Sequence, residues 1–304
     1  MTDRVAYDEF AYFADNAAEY GIAYDGPPLV RRDRAELPDG RTISALVWGD
    51  APAEMVFLHG GAQNAHTWDT VALALGRPLV AIDLPGHGHS DAVSLTPGRH
   101  RAESLADDAA VAIEALAPDA DLLVGMSLGG MTSIALTAAH PHLVRRLALI
   151  DITPGVNSEK AKAITDFVRG PPTFPSFDEL LARTIEHNPT RTEASLRRGI
   201  LHNAEQLDDG SWRWRYRRHG DGDLAETSEV DASSVLWEAL SAITAPVMLV
   251  RGMRPQSVVD DADEAELLRR LPSARVEHVA EAGHSVQGDT PVELAALLAD
   301  FATG

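Results

Sequence analysis

The chain has 304 residues, with 26 Lys and Arg against 46 Asp and Glu, a formal charge of −20 with histidine neutral. That charge excludes the basic footprint of a nucleic-acid binder and of a protein docking on anionic lipid. The 45% hydrophobic content suits a globular fold with a sizeable core, and the lack of any cysteine excludes disulfides, a thiol nucleophile and Cys-ligated metal.

The N-terminus, MTDRVAYDEF, is acidic and has no apolar run, so neither a signal peptide nor a membrane anchor is read there and a soluble, cytoplasmic protein is expected. Residues 1–28, with Tyr7, Tyr12, Tyr20 and Tyr24 among acidic positions, read as a loosely helical N-terminal extension. Val30 to Glu36 and Thr42 to Trp48 read as strands around the turn Pro38-Asp39-Gly40. Short apolar runs then alternate with amphipathic segments. Met55 to Leu58, Leu79 to Ile82, Leu122 to Val124 and Leu147 to Ile150 have the uninterrupted apolarity of strands buried on both faces. Thr67 to Leu75, Ala102 to Leu116 and Leu128 to Ala139 carry helical spacing. Strands and helices in this alternation predict a parallel sheet with helices on both faces.

The rhythm breaks over residues 153–240, which hold Pro171-Pro172, Pro175 and Pro189 and no clear strand–helix unit. It resumes with the strand Val247 to Val250, the helix Ala262 to Leu271, the strand Arg275 to Val279 and the helix Val292 to Phe301. These late elements are too few to bury a core alone. The expectation is therefore one α/β core, residues 29–152 and 241–304, interrupted by a mostly helical insertion.

Gly125-Met126-Ser127-Leu128-Gly129 lies between an apolar strand and an amphipathic helix. A serine there occupies a strained strand-to-helix turn with its hydroxyl thrust out at the carboxyl edge of the sheet. Gly125 and Gly129 leave room for the turn, and the helix behind it offers unsatisfied N–H groups. His59-Gly60-Gly61 follows another strand, and its glycines let the Gly61 N–H pair with that of Leu128 around a developing oxyanion. His284, in Ala282-Gly283-His284-Ser285 after the last strand, is placed to reach the serine as general base. His87 and His89 are two histidines one glycine apart with no matching third ligand, which is weak grounds for a metal.

Together these segments resemble the α/β-hydrolase family. HGG, AIDLPGHGHSD, GMSLGG and AGHS occur in family order and spacing from about Leu29 onward. The resemblance implies an α/β-hydrolase fold in which residues 153–240 form a cap, or lid, over the pocket. It also implies a triad in the order Ser, acid, His. The acid departs from the commonest pattern. The turn after the strand Val247 to Val250 reads Arg251-Gly252-Met253-Arg254-Pro255-Gln256-Ser257, with no carboxylate before Asp260. One strand earlier, Asp151 directly follows Leu147 to Ile150. Neighbouring strands lie about 5 Å apart, so a carboxylate ending either one could orient the same imidazole. Asp151 is the expected acid, with Asp260 or Asp261 as the alternative.

In Trp212-Arg213-Trp214-Arg215-Tyr216-Arg217-Arg218 the aromatic and basic residues alternate, which puts them on opposite faces of a strand. The arginines are expected to pair with surface carboxylates, the alternative being contact with an anionic substrate group. Trp212, Trp214 and Tyr216, with Phe167, Phe174, Phe177 and Trp237, would supply an apolar lid. Trp68 reads as packing near the oxyanion loop.

The functional expectation is a cofactor-free, metal-free serine hydrolase cleaving an ester-like bond of a small or medium apolar molecule through Ser127, Asp151 and His284. Ser127 speaks against the dehalogenases and epoxide hydrolases of this fold, whose nucleophile is an aspartate. Lactone opening and carbon–carbon hydrolysis use the same triad, and a non-catalytic receptor can retain it.

Overall fold

The computed structural model describes residues 5–95, 101–156, 159–216 and 229–304. In chain order, α1 (Phe13–Tyr20) precedes β1 (Val30–Glu36), β2 (Thr42–Trp48) and β3 (Met55–Leu58). A 3-10 turn, Ala65–Trp68, leads into α2 (Asp69–Leu75), followed by β4 (Leu79–Ile82), α3 (Arg101–Leu116), β5 (Leu122–Met126), α4 (Leu128–Ala139) and β6 (Leu147–Ile150). Next come α5 (Lys162–Val168), β7 (Thr173–Phe174), α6 (Phe177–His187), α7 (Glu193–Asn203), β8 (Ala204–Gln206), β9 (Trp212–Trp214) and α8 (Glu229–Ser241). The chain closes with β10 (Val247–Gly252), α9 (Asp261–Arg270), β11 (Arg275–Val279), α10 (Val286–Asp289) and α11 (Pro291–Thr303).

The main sheet has eight strands in the order β1-β2-β4-β3-β5-β6-β10-β11. β2 runs antiparallel to β1 and β4, and the remaining pairs are parallel. The continuous apolar runs have a simple cause. Successive side chains of a strand face opposite ways, and here both faces are covered. Val56, Leu58, Val80, Ile82, Leu147 and Leu149 enter one apolar cluster with residues of α3, α4 and α8. Met55, Phe57, Leu79, Ala81, Ala148 and Ile150 enter another with residues of α1, α2 and α11.

Between β6 and β10 the chain makes helices and a small antiparallel sheet, β7-β9-β8. Its strands have two or three residues each, too short to show a period in sequence. The alternation in β9 is as expected: Trp212 and Trp214 are buried and Arg213 is exposed. Trp212, Trp214, Tyr216 and Phe174 share a local apolar core with Leu180, Leu196 and Ile200. Trp237 does not join them but packs into the core beneath the main sheet. Arg217 and Arg218 lie outside the described residues. The described residues before β1 are pinned rather than loose: Phe13 stacks edge-on to Trp48 at 5.0 Å, and the Tyr20 hydroxyl donates to the Gly288 carbonyl at 2.7 Å. Among the described residues no helix is long and apolar enough to cross a membrane.

Leu149, fully buried in the centre of β6, tests this packing. Leu149→Ala should cost about 2–5 kcal/mol by denaturant unfolding, through lost burial and the cavity left behind. A loss below about 1 kcal/mol would mean that β6 is not central to the core.

Candidate active site

Ser127 joins β5 to α4 with φ 51° and ψ −117°, a left-handed conformation for a residue with a side chain. Such strain costs of order 1–3 kcal/mol and persists only where the surroundings enforce it. The surroundings here are tight. A Cβ on Gly129 would fall 2.3 Å from the Leu58 carbonyl, and one on Gly125 would fall 2.4 Å from Ser133 Oγ. The elbow is thereby clamped against the end of β3. Leu128 opens α4, so its N–H has no carbonyl within the helix.

Facing the elbow is the turn after β3. The Leu84 N–H donates to His59 Nε2 at 2.9 Å, so the ring carries its proton on Nδ1 and donates it to the Gly60 carbonyl at 2.7 Å. Burial holds the His59 pKa below its usual value, which keeps this neutral bridge intact. Gln63 Oε1 accepts the Gly60 N–H at 3.1 Å, and Ala62 takes a φ of 61°. A Cβ on Gly61 would stand 4.0 Å from Leu128 Cβ. The two backbone segments named as oxyanion donors thus face each other across the elbow.

Asp151 ends β6 with φ 45° and is fully buried. Its carboxylate meets four donors. Oδ1 accepts the Gly252 N–H at 3.0 Å and the Ser257 hydroxyl at 2.6 Å, and Oδ2 accepts the Val258 N–H at 3.0 Å and His284 Nδ1 at 2.9 Å. Gly252 ends β10, the neighbour of β6 in the sheet, and Ser257 and Val258 belong to the turn after it. The turn that lacks a carboxylate therefore supplies the groups that hold one. It also seats the His284 loop: the Arg254 N–H donates to the Ala282 carbonyl at 2.9 Å, and a Cβ on Gly252 would strike the Gly283 carbonyl at 2.2 Å. Ser257, Gly252 and Val258 carry no signal in a single sequence that would mark them as partners of a residue a hundred positions away.

Asp260 and Asp261 are occupied elsewhere. Asp260 caps α9 in a reciprocal box with Asp263 and pairs with Lys160 Nζ at 2.7 Å. Asp261 is exposed and pairs with Arg251 at 2.8 Å. With Nδ1 engaged, His284 keeps Nε2 for the cavity that it lines together with Ser127, Gly60 and Gly61. No hydrogen bond joins Ser127 Oγ to the ring in this conformation; such contacts are often long before substrate binds. The cavity has a volume of about 400 Å³, and Phe167 and Trp214 reach its wall. Arg213 and Arg215 do not; both pair with Glu205, at 2.7 and 3.6 Å.

A second titratable cluster borders the cavity. His66 Nδ1 meets Asp69 Oδ2 at 2.8 Å and its Nε2 meets Glu9 Oε2 at 3.2 Å. Arg32 bridges Glu9 and Asp83 at 2.6 and 2.8 Å. His202 stacks on His66 with ring centres 3.9 Å apart and planes 13° from parallel. Burial drives His202 well below its usual pKa, and His66 adds to that, so the stack pairs a neutral ring with a charged one. His66, Asp69 and His202 bring ligand atoms within 4.8 Å of one another. Stacked rings cannot both hold one ion in their planes unless one of them turns, and the cluster as it stands is an ion-pair network. His87 instead stands edge-on to His59 at 5.1 Å.

This network has a pH signature. Burial alone would lower the His66 pKa, but Asp69 and Glu9 outweigh it and raise it from 6.5 to about 9. A folded-state pKa above the unfolded value gives stability that is complete below pH 6.5 and is lost as pH rises through 9. The melting-temperature gap between wild type and His66→Gln should therefore be widest near pH 6 and narrow by pH 9.5; a gap constant across that range would contradict the assignment.

With this geometry in view, the chain matches the alpha/beta hydrolase fold family over residues 55–291. It is 43% identical over 295 residues to esterase Rv0045c of Mycobacterium tuberculosis, covering 93% of this chain and 92% of that protein. A solved structure of that esterase, described in work on its inhibition by transition metals, superposes with a TM-score of 0.83 at 40% identity, covering 99% of this chain and all of the other. The chain is also 28% identical over 253 residues to 2-(acetamidomethylene)succinate hydrolase of Mesorhizobium japonicum, covering 82% of this chain and 87% of that enzyme. A structure of an E-2-(acetamidomethylene)succinate hydrolase superposes with a TM-score of 0.75 at 25% identity, covering 90% of this chain. The chain is a hydrolase and a member of the α/β-hydrolase fold family.

Proposed function

We propose that the protein is a cofactor-free serine esterase for small or medium, largely apolar substrates, with Ser127, His284 and Asp151 as its triad. The observation that carries this reading is the Asp151–His284 contact of 2.9 Å beside a strained Ser127 in one shared cavity. A carboxylate on Nδ1 fixes the tautomer with Nε2 unprotonated, which a general base requires. Ser127 Oγ attacks the ester carbonyl as Nε2 takes its proton. The Gly61 and Leu128 N–H groups receive the oxyanion, an effect worth about 3–4 kcal/mol per donor. As the tetrahedral intermediate collapses, the alkoxide leaves with the proton from His284, and an acyl ester remains on Ser127. Water then attacks that ester with His284 again as base and returns free Ser127 and the acid.

In this reading residues 153–240 act as the cap, since α5, α6 and α7 supply much of the cavity wall opposite the elbow. The described part of the N-terminal extension, residues 5–28, acts as a strap that contributes Asn16 and Tyr20 to the same wall. The M. tuberculosis relative, an esterase by name, supports the bond type.

The test is turnover of p-nitrophenyl acetate and butyrate together with labelling by a fluorophosphonate. Ser127→Ala and His284→Ala should each lower kcat by several orders of magnitude, because triad members act as a unit. The label should map to the peptide holding Ser127. Activity within tenfold of wild type in either variant, or label on another residue, would overturn the assignment. Lactone or carbon–carbon hydrolysis, or a receptor that retains the triad, would appear as labelling of Ser127 without ester turnover, and turnover of lactones and vinylogous diketones would separate those enzymes from the receptor.

A further inference from the structure

The cavity holding Ser127 and His284 is not uniformly apolar. Ile164, Phe167, Val168 and Leu196 line one part, and at another stands Arg191, half-buried beside the helix that follows His284. A Cβ on Gly288 would fall 2.0 Å from Arg191 Nη1, so the guanidinium lies directly on the backbone of α10. Nη2 donates to the Ser195 hydroxyl. Nε is buried and meets no acceptor. Among the described residues no carboxylate comes within the 4.0 Å of an ion pair.

The other cations on this cavity are neutralised. Lys160 meets Asp260 and Asp263 at 2.7 Å each, and Arg198 pairs with Glu19. Asp289, also on the wall, has both oxygens engaged: Oδ1 accepts the Thr190 hydroxyl and Oδ2 the Gly283 N–H, each at 2.9 Å. Of the Lys and Arg side chains on this wall, Lys160, Arg191 and Arg198, Arg191 is the one without a carboxylate partner among the described residues. Burying a charged group's donor edge without an acceptor is costly. A guanidinium matches a carboxylate through a two-pronged contact that few other ligands can make. At long range a protein of charge −20 repels anions, so an anionic substrate needs a local cation of this kind.

We propose that Arg191 forms a carboxylate subsite, and that the preferred substrates are esters carrying one free carboxylate remote from the scissile bond. This deepens the esterase reading and rests on it for the bond that is cut. The carboxylate can belong to the acyl part, as in a half-ester of a dicarboxylic acid, or to the alcohol part, as in an acyloxy acid.

Binding tests the subsite without turnover. The Ser127→Ala protein is titrated calorimetrically with monoethyl glutarate against diethyl glutarate, and with 4-acetoxybutyrate against its ethyl ester. In at least one pair the anion should bind tenfold or more tightly than the neutral ester, and the arm showing this identifies the carboxylate-bearing side. Adding Arg191→Met should bring that ratio to about one, while Arg191→Lys, which keeps the charge without the fork, should retain part of it. Neutral esters binding as well in both pairs, or a preference that survives Arg191→Met, would overturn the proposal. Because no chemistry occurs in this background, an Arg191-dependent preference would stand even if wild-type protein showed no Ser127-dependent turnover, and the esterase reading alone would fall.

Discussion

A buried carboxylate sits at the centre of this structure. Asp151 has no exposed surface, and an ionised side chain there is tolerable only if its lone pairs are filled. They are filled by two backbone N–H groups, a hydroxyl and an imidazole. One of those donors is the last residue of β10, two belong to the turn after it and one to the loop after β11. Satisfying one charge therefore fixes the relative positions of three neighbouring strand ends. The left-handed φ of 45° at Asp151 is the local cost, offset by those contacts.

The same logic of enforced strain runs through the rest of the site. Ala62, Ser127 and Asp151 are the described non-glycine residues with positive φ, and each follows closely on the carboxyl end of a strand of the main sheet. The parallel strands β3, β5 and β6 deliver these turns to one edge, where ligand sites of open α/β sheets form. Rigid strands place the backbone, and hydrogen bonds donated by His59 and Ser257 and accepted by Gln63 hold the turns against relaxation. The opposite wall has a different construction. It is a helical layer with its own small aromatic core, latched to the N-terminal segment through the Glu9, Arg32, His66 and His202 network. The two walls of the cavity are thus built independently, one on rigid strand ends and the other on a separate helical layer.

Much of this was legible in the sequence where burial leaves a pattern. Strands covered on both faces read as apolar runs, so β3, β4 and β6 have the expected limits; the polar edge strand β1 and its neighbour β2 were placed instead by the turn Pro38-Asp39-Gly40 between them, and α4 runs over the expected Leu128 to Ala139. The elbow was legible because its glycines are sterically required. Asp151 was legible as a lone carboxylate after a buried strand. Its partners were not, because a hydroxyl and two backbone N–H groups in the Arg251 to Val258 turn leave no mark that points across the chain. Strands as short as β7 and β8 show no period, and Trp237 could not be told from the lid aromatics by composition. Arg191 drew no attention in a chain whose most conspicuous arginines lie after Trp212; only the packed cavity shows that an arginine on its wall stands without a carboxylate.

The account depends on Asp151 orienting His284, and exchanging the acid tests it most directly. Asp151→Asn and Asp260→Asn are compared by kcat on an ester, at a temperature well below both melting points. Asp151→Asn should lower kcat by about 10⁴ through the wrong imidazole tautomer. It should also lower the melting temperature, because an amide NH₂ would face donors where the carboxylate oxygens now accept. Asp260→Asn should leave kcat within about threefold and cost roughly 1 kcal/mol at most, as the weakening of a helix cap. A large loss in Asp260→Asn, with Asp151→Asn near wild type, would place the acid one strand later and contradict the account.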